Sequence, residues 1–224
     1  MLYLHESKID YSILTMSWMK LVLFDDVFLN MQGMNIGLAD SIVTQCEYQL
    51  LQEYFELEKT PSQTALTVGA LSQMWVFALY EVLRQWRDRK FQFKKCFDNG
   101  GIEYKIQQLS KGDDLNLAEN IRSSQLREYQ RSEEIRQKLD EQWNLFEPIY
   151  RIVELYRMNL AKHCAPGKDN IIPSAPGYGR INMLCGAMDY ELIQKDRSCY
   201  VLNRRDIADS LRDLFSQVKA LHEC

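Results

Sequence analysis

The sequence contains only three histidines and lacks the motifs of the common cofactor-dependent reactions. It has neither a Walker loop nor a GxGxxG pattern, which argues against nucleotide triphosphate hydrolysis and dinucleotide binding. Neither HExxH nor CxxC occurs, so no cluster of metal ligands is evident from spacing. A GxSxG nucleophile elbow is also missing. The sequence therefore predicts no metal site and no cofactor.

Six cysteines are scattered along the chain without a paired spacing, which favours reduced thiols in a cytosolic protein over a disulfide framework. An apolar run at residues 11–24 lacks a basic leader and a small-residue cleavage site, and it carries Lys20. It is also too short to span a bilayer. We therefore expect a soluble cytoplasmic protein without a membrane association. The net charge is −4, so a nucleic-acid partner would need a local basic surface.

The pattern of apolar residues predicts a mainly α protein of 224 residues, without internal repeats. We expect a bundle of four to five long helices with a small antiparallel β element near the C-terminus. Helices are predicted at residues 40–58, 62–93, 102–109, 115–146, 148–163 and 207–221, with Asp40 or Ser41 capping the first of them. Strands are predicted at residues 20–24, 188–193 and 199–203, the last two forming a hairpin.

The helix predicted at residues 62–93 is apolar nearly all round its middle, as is typical of a central helix. Its end becomes basic, and cations such as Arg87 and Lys90 alternate there with Phe91 and Phe93. Such alternation suits a groove for single-stranded nucleic acid, in which cations hold phosphates and rings stack on bases. The same cations also suit a solvated last turn, where they complement the helix dipole. Both interpretations stay open.

One polar constellation stands out, at the end of the helix predicted for residues 148–163. Pro148 suits a first helical position, and Pro166-Gly167 is a typical stop. Angular spacing along this helix places Arg157 and Asn159 on the margins of an apolar stripe. His163 is expected inside the stripe, near the last turn. These three side chains are our candidate catalytic residues.

The segment Arg157-Met-Asn-Leu-Ala-Lys-His163 resembles the motif of the HEPN superfamily, helical domains marked by an arginine, four to six residues and a histidine. Met158 stands where that family often has a polar residue, and Asn159 comes one place later. The resemblance implies one HEPN-like domain over residues 1–224, with extensions at 1–37 and 166–224. It also implies metal-independent RNA cleavage by a homodimer with a shared cleft, in a toxin or defence component with a cognate antitoxin or other partner protein.

The side chains of this motif suit RNA cleavage by a ribose 2′-hydroxyl. Histidine ordinarily titrates near neutral pH, so His163 would act as general acid or base. Arginine offers bidentate donors, so Arg157 would stabilise charge on phosphate oxygens. Asn159 would orient His163 or hold a phosphate oxygen. A non-catalytic interaction module, with the charged helix at 115–146 as its partner surface, is the alternative.

A second candidate feature is the segment Pro176-Gly-Tyr-Gly-Arg180. Glycines on either side of Tyr178 allow the backbone to approach a ligand closely, and Arg180 suits a phosphate. A flexible connector whose tyrosine packs on the bundle is the other interpretation. Because the segment follows His163 closely, we expect Tyr178 and Arg180 to line the same cleft and to bind substrate together with Arg87 and Lys90.

Overall fold

The computed structural model describes residues 3–110 and 116–222 and confirms a mainly α fold with a small antiparallel sheet near the C-terminus. Five of the described helices have 15 residues or more. Short 3₁₀ turns occur at Glu6–Lys8 and Trp18–Lys20. The remaining elements are, in order, α1 (Ser12–Met16), α2 (Val27–Leu57), α3 (Ser62–Asp98), α4 (Ile102–Leu109), α5 (Leu117–Arg131), α6 (Glu133–Ala161), β1 (Gly179–Ile181), β2 (Met188–Ile193), β3 (Cys199–Leu202) and α7 (Arg204–His222).

Helix α3 is the centre of the bundle and packs against both α2 and α6. Trp86 is fully buried there, with its ring edge-on to Trp143 and Phe146 of α6. Among the described helices, α3 is the one long and apolar enough in composition to cross a membrane, and 44% of that apolar window is buried inside the protein. Trp75, Leu79 and Trp86 of this helix are buried in the core, whereas Leu66 and Met74 are exposed. The cytoplasmic location stays a prediction.

The strand predicted at residues 20–24 is wrong, because this segment forms a turn after the 3₁₀ helix. Leu21, Leu23 and Phe24 are buried, which explains their strand-like apolar pattern. A side chain takes the place of a neighbouring strand: Gln142 donates to the carbonyl of Lys20 at 3.0 Å and accepts from the amide of Val22 at 2.8 Å. Burial alone therefore produced the pattern that favoured a strand.

Helix α2 begins 13 residues before the predicted start at Asp40. Asp26 is its N-terminal cap and accepts a hydrogen bond from the amide of Phe28 at 2.9 Å. Gly37 lies inside the helix and allows α1 to approach, since a Cβ there would lie 2.5 Å from the carbonyl carbon of Leu14. Asp40 is fully buried in the middle of the helix, so the predicted capping role is wrong.

The region predicted as helices 115–146 and 148–163 is divided at a different residue. Ser132 separates α5 from α6 and caps α6 by accepting from the amide of Ile135 at 3.2 Å. Leu115 lies outside the described residues. Pro148 is inside α6 rather than at its start, and it is exposed. The helix continues through it because Phe146 and Ile149 on either side of it are buried in the core, and this packing outweighs the local cost of a proline inside a helix.

The predicted hairpin is confirmed as β2 and β3, in which Ile193 pairs with Cys199. A third strand, β1, comes from the glycine-rich segment around Tyr178, for which no strand was predicted, and Gly179 pairs with Tyr190 of β2. Residues of β2 alternate between buried and half-buried, so one face of the sheet covers the bundle. The sheet thereby packs β2 against α6, next to the candidate site.

Candidate functional site

Arg157 lies near the end of α6 and reaches across to α3. Its guanidinium carbon is 4.6 Å from the ring centroid of Tyr80, and its Nη2 is 3.9 Å from Oε1 of Glu81. Glu81 makes a much closer pair with Arg84, at 2.7 Å. The Arg157 side chain is 27% exposed. Stacking on Tyr80 therefore fixes the guanidinium at the edge of the surface, while its contact with a carboxylate is too long to occupy its donors.

His163 is placed differently from our expectation. Helix α6 ends at Ala161, so the histidine lies beyond the helix and is exposed rather than inside the apolar stripe. Its φ is +53°, a left-handed conformation that glycine usually adopts after a helix. Within the described residues, neither a hydrogen bond nor a ring contact joins His163 to Arg157. The imidazole is thus free to meet a ligand from solvent.

Asn159 holds the end of α6 on the sheet. Its side-chain nitrogen donates to the carbonyls of Leu155 at 3.0 Å and Ile193 at 3.1 Å, and its oxygen accepts from the amide of Ile193 at 2.8 Å. The residue is buried. Its amide therefore contacts backbone groups and not His163, which makes Asn159 a positioning residue for this end of the helix.

Replacing Asn159 with alanine is expected to lower the free energy of unfolding by about 1–3 kcal/mol, because it removes the partner of both the amide and the carbonyl of the half-buried Ile193. Urea denaturation followed by tryptophan fluorescence measures the change. Asn170, which is exposed, supplies the matched control, and Asn170→Ala should change stability by less than about 0.5 kcal/mol. Equal effects of the two substitutions would contradict the role given to Asn159.

Cys164 follows His163 and is buried. Its thiol donates to Oδ1 of Asp169 at 3.7 Å. Burial and the nearby Asp169 carboxylate raise the pKa of the Cys164 thiol, which makes the reactive thiolate scarcer. This environment favours a packing role for Cys164 over a nucleophilic one.

The basic and aromatic residues at the end of α3 form contacts between helices. Arg87 donates to the hydroxyl of Tyr150 and pairs with Asp88 at 2.8 Å, and its guanidinium lies over the Tyr150 ring. Lys90 is buried, and its Nζ lies 2.6 Å from Oδ1 of Asp140. Carboxylates thus already neutralise both cations that we predicted to bind substrate.

Tyr178 and Arg180 line a cleft of about 770 Å³ between β1 and the start of α3, with Tyr54, Leu66 and Gln73 among the residues opposite. Tyr178 is exposed, and Arg180 pairs with Glu191 at 2.8 Å. The lining of this cleft includes neither Arg157 nor His163. Arg87 is 14 residues further along α3 than Gln73, or about 21 Å. The predicted substrate-binding residues therefore belong to separate surfaces.

A cleft that the sequence analysis missed adjoins the His163 loop. It has a volume of about 480 Å³ and lies between α6 and the β2–β3 turn. Pro166, three residues after His163, lines it together with Arg151 and Lys195. Sequence patterns indicate this cleft only weakly, because Arg151 and Lys195 are 44 residues apart. The packing of the hairpin on α6 brings them together.

Known proteins provide no guide to this site. The chain matches no family model, no curated protein and no solved structure. The HEPN resemblance therefore rests on the segment from Arg157 to His163 and on its helical setting, and it stays a prediction. Among the described residues, no group of three or more His, Cys, Asp or Glu side chains is arranged to hold a metal ion.

The strongest electrostatic feature of the structure is a buried ion network between α2 and α7. Arg204 donates to both carboxylate oxygens of Glu47, at 2.8 and 2.6 Å, and to Asp40. Arg212 donates to the other oxygen of Asp40. Asp40, Glu47 and Arg204 have no exposed surface. This network fixes the C-terminal helix on the bundle.

Burial and the neighbouring charges both shift the pKa values of Glu47 and Arg204. It raises the pKa of Glu47, even though Arg204 opposes that shift. Burial alone would lower the pKa of Arg204, but Glu47 and Asp40 more than reverse this effect and raise it. A sequence signal existed, since Asp40, Thr44 and Glu47 recur at helical spacing, and Thr44 accepts from Arg204 at 2.9 Å. Their common partner on α7 was not evident from the sequence.

Proposed function

We propose that this protein is a metal-independent endoribonuclease, with His163 as its proton-transferring group and Arg157 as its phosphate-binding cation. One observation carries the proposal: His163 is exposed and lies in left-handed backbone directly after the helix that carries Arg157. Non-glycine residues in this conformation cluster at functional sites. Among the described residues Leu23, Glu58 and Arg197 also have a positive φ, so the backbone of His163 supports the proposal only together with its exposure and its place after Arg157. The positioning role of Asn159 supports the proposal further, because it fixes the end of that helix.

The proposed reaction is an internal transesterification of RNA. His163 takes the proton of a ribose 2′-hydroxyl, and the 2′-oxygen attacks the adjacent phosphorus. The bond from phosphorus to the 5′-oxygen breaks, and that oxygen takes up a proton from water. The hydroxide that remains takes the proton held by His163, which regenerates the neutral imidazole. The products are a 2′,3′-cyclic phosphate and a 5′-hydroxyl. Arg157 stabilises the charge that gathers on the phosphate oxygens during attack.

The RNA chain would continue from His163 into the cleft beside its loop, whose lining includes neither His163 nor Arg157. Arg151 and Lys195 line this cleft, and both can bind phosphates through charge-assisted hydrogen bonds. Arg151 is 63% exposed, and its ion pairs within the described part of the chain are helical ones with Glu147 and Glu154, which are weak in water. These cations replace Arg87 and Lys90 as the proposed RNA-binding surface.

The test is incubation of the purified chain with total RNA in the presence of EDTA. We expect cleavage with cyclic phosphate ends, and a loss of about 100- to 10,000-fold in rate for His163→Ala, as for removal of a general acid or base. His5 is also exposed, so His5→Ala is the matched control and should keep full activity. Cleavage that survives in His163→Ala would overturn the assigned mechanism.

A non-catalytic helical interaction module is the second candidate. It is favoured by the surface of α5, where Arg127, Glu128 and Arg131 are exposed and only four of fifteen residues are buried. RNA that stays intact with both the unsubstituted chain and His163→Ala would favour this function. A role as a toxin or defence component with a cognate antitoxin is a further proposal that rests on the HEPN resemblance.

A further inference from the structure

The exposed face of α2 carries no charge over most of the helix. Between Val27 and Gln52 the only charged side chains are Asp40 and Glu47, and both are fully buried in the ion network. Twenty-six residues correspond to about 39 Å of helix. Surface helices normally present charged residues to water, and depletion of charge is typical of the core of an interface.

Large apolar side chains occupy this face at regular spacing. Phe28, Met31, Leu38 and Ile42 are 48–59% exposed, and Asn35 is exposed between them. The five positions follow one another at steps of three, four, three and four residues. That is the spacing of a coiled-coil seam, in which a single asparagine commonly specifies the register. We name these five residues the α2 seam.

The α2 seam is self-complementary. When two copies of the helix run antiparallel with their Asn35 residues facing each other, Phe28 meets Ile42 and Met31 meets Leu38. Each apolar side chain then has an apolar partner, and the two Asn35 amides can bond to each other. A twofold axis brings identical residues close together, so a charge near it would repel its own copy. The lack of charge on this face is what a twofold contact requires.

A groove of about 560 Å³ runs beside the seam, between α2 and α3. Asn35 lines it together with Leu71 and Met74, and Met74 is 66% exposed on the far side. The groove extends the apolar surface from one helix to two. A standard interface buries about 800 Å² on each partner, and a face formed by two helices offers more surface toward that area than a single seam does.

We infer that the α2 seam and this groove bind a second copy of the chain, as an antiparallel dimer centred on Asn35. The groove also reaches Glu81, which lies 3.9 Å from Arg157, so Arg157 lies near the contact, whereas the proposed RNA cleft is lined by other residues. The inference goes beyond the proposed nuclease function and does not depend on it. None of its tests uses RNA, so the two can fail separately.

The first test is sedimentation velocity over a range of concentrations, with the 26.4 kDa monomer as the reference mass. We expect a dimer, and we expect Leu38→Glu to raise its dissociation constant about 100-fold or more, because it places two carboxylates near the axis. Leu184→Glu is the matched control, since Leu184 is also exposed but lies in the loop before β2, and it should leave the dimer intact. Circular dichroism checks that both variants fold.

The second test is disulfide trapping under mild oxidation, against the background of the unsubstituted chain. Asn35→Cys should form a cross-linked dimer. Met31→Cys alone should not, because antiparallel helices centred at Asn35 separate its two copies by about 12 Å, beyond the reach of a disulfide. Adding Leu38→Cys to Met31→Cys should restore cross-linking.

Three results would overturn the inference. The first is an unsubstituted chain that stays monomeric at the highest concentration at which it is soluble, which would leave this face to a different protein. The second is a dimer that Leu38→Glu does not weaken, which would assign the contact to another surface. The third is cross-linking by Met31→Cys alone without cross-linking by Asn35→Cys, which would contradict the antiparallel arrangement.

Discussion

Replacing Asp40 with asparagine is expected to lower the free energy of unfolding by about 3–5 kcal/mol, because it removes one partner from a buried set of ion pairs. Asp40 accepts hydrogen bonds from Arg204 through one oxygen and from Arg212 through the other. Asparagine has nearly the same shape but no charge. The substitution therefore tests the charge of the network without leaving a cavity.

The effect at Asp40 is large because water cannot replace the hydrogen bonds that either arginine loses. Arg204 has no exposed surface, and the side chain of Arg212 is only 9% exposed. Glu47 keeps its contact with Arg204, and Asp209 keeps its contact with Arg212 at 2.6 Å, so each arginine retains one carboxylate partner. Urea denaturation followed by tryptophan fluorescence measures the change, and Trp75, whose ring lies 5.3 Å from the Arg204 guanidinium, is a local reporter.

Asp213 provides the matched control, since it lies on α7 but is exposed. Asp213→Asn should change stability by less than about 0.5 kcal/mol. Combining Asp40→Asn with Arg212→Met should cost less than the sum of the two single substitutions, because the double variant leaves fewer buried charges unpaired. Strict additivity, or a loss below about 1 kcal/mol for Asp40→Asn, would show that the network does not stabilise the fold as argued.

Gly186→Ala is expected to destabilise the protein by more than about 4 kcal/mol or to prevent its folding. A Cβ at this position would lie 1.8 Å from the carbonyl oxygen of Glu47, which is backbone of α2 and cannot move aside without disturbing the helix. The residue also has a φ of +76°, which by itself costs alanine about 1–2 kcal/mol. Steric overlap and backbone strain therefore act together.

Gly177 separates the two effects. Its φ is +77°, but a Cβ there would meet no atom within 4 Å. Gly177→Ala should thus show the backbone strain alone, about 1–2 kcal/mol. The measurements are soluble yield and thermal unfolding of both variants beside the unsubstituted chain. Similar unfolding temperatures for the two variants would show that the contact between Gly186 and α2 is looser than described.

Local patterns predicted several elements well. The helix predicted at residues 102–109 coincides with α4, between Gly101 and a short turn, and the hairpin strands agree to within one residue. These segments have boundaries set by nearby glycines and turn residues. The mainly α class follows from the same periodicity. The candidate motif also lies at a helix end, as predicted.

Boundaries that depend on distant contacts were wrong. The first long helix was predicted to begin at Asp40, but α2 begins at Val27, and Gly33 and Gly37 in its added turns are the positions at which Trp18 and α1 pack against it. Pro148 indicated a helix start, but burial of its neighbours on both sides extends α6 through it. In each case tertiary packing outweighs a local preference, which is a weak predictor by itself.

The sequence by itself determined the helical class, the hairpin and the presence of one Arg–His motif, because short-range spacing encodes all three. Only the tertiary structure decided which polar residues meet. It joins Asp40 to Arg204 and Arg212 across more than 160 positions, uses Asn159 to dock α6 on β2, and exposes His163 beyond the helix. The physical reason is that helix packing determines the partner of a buried polar group. The spacing of residues along one helix does not identify that partner.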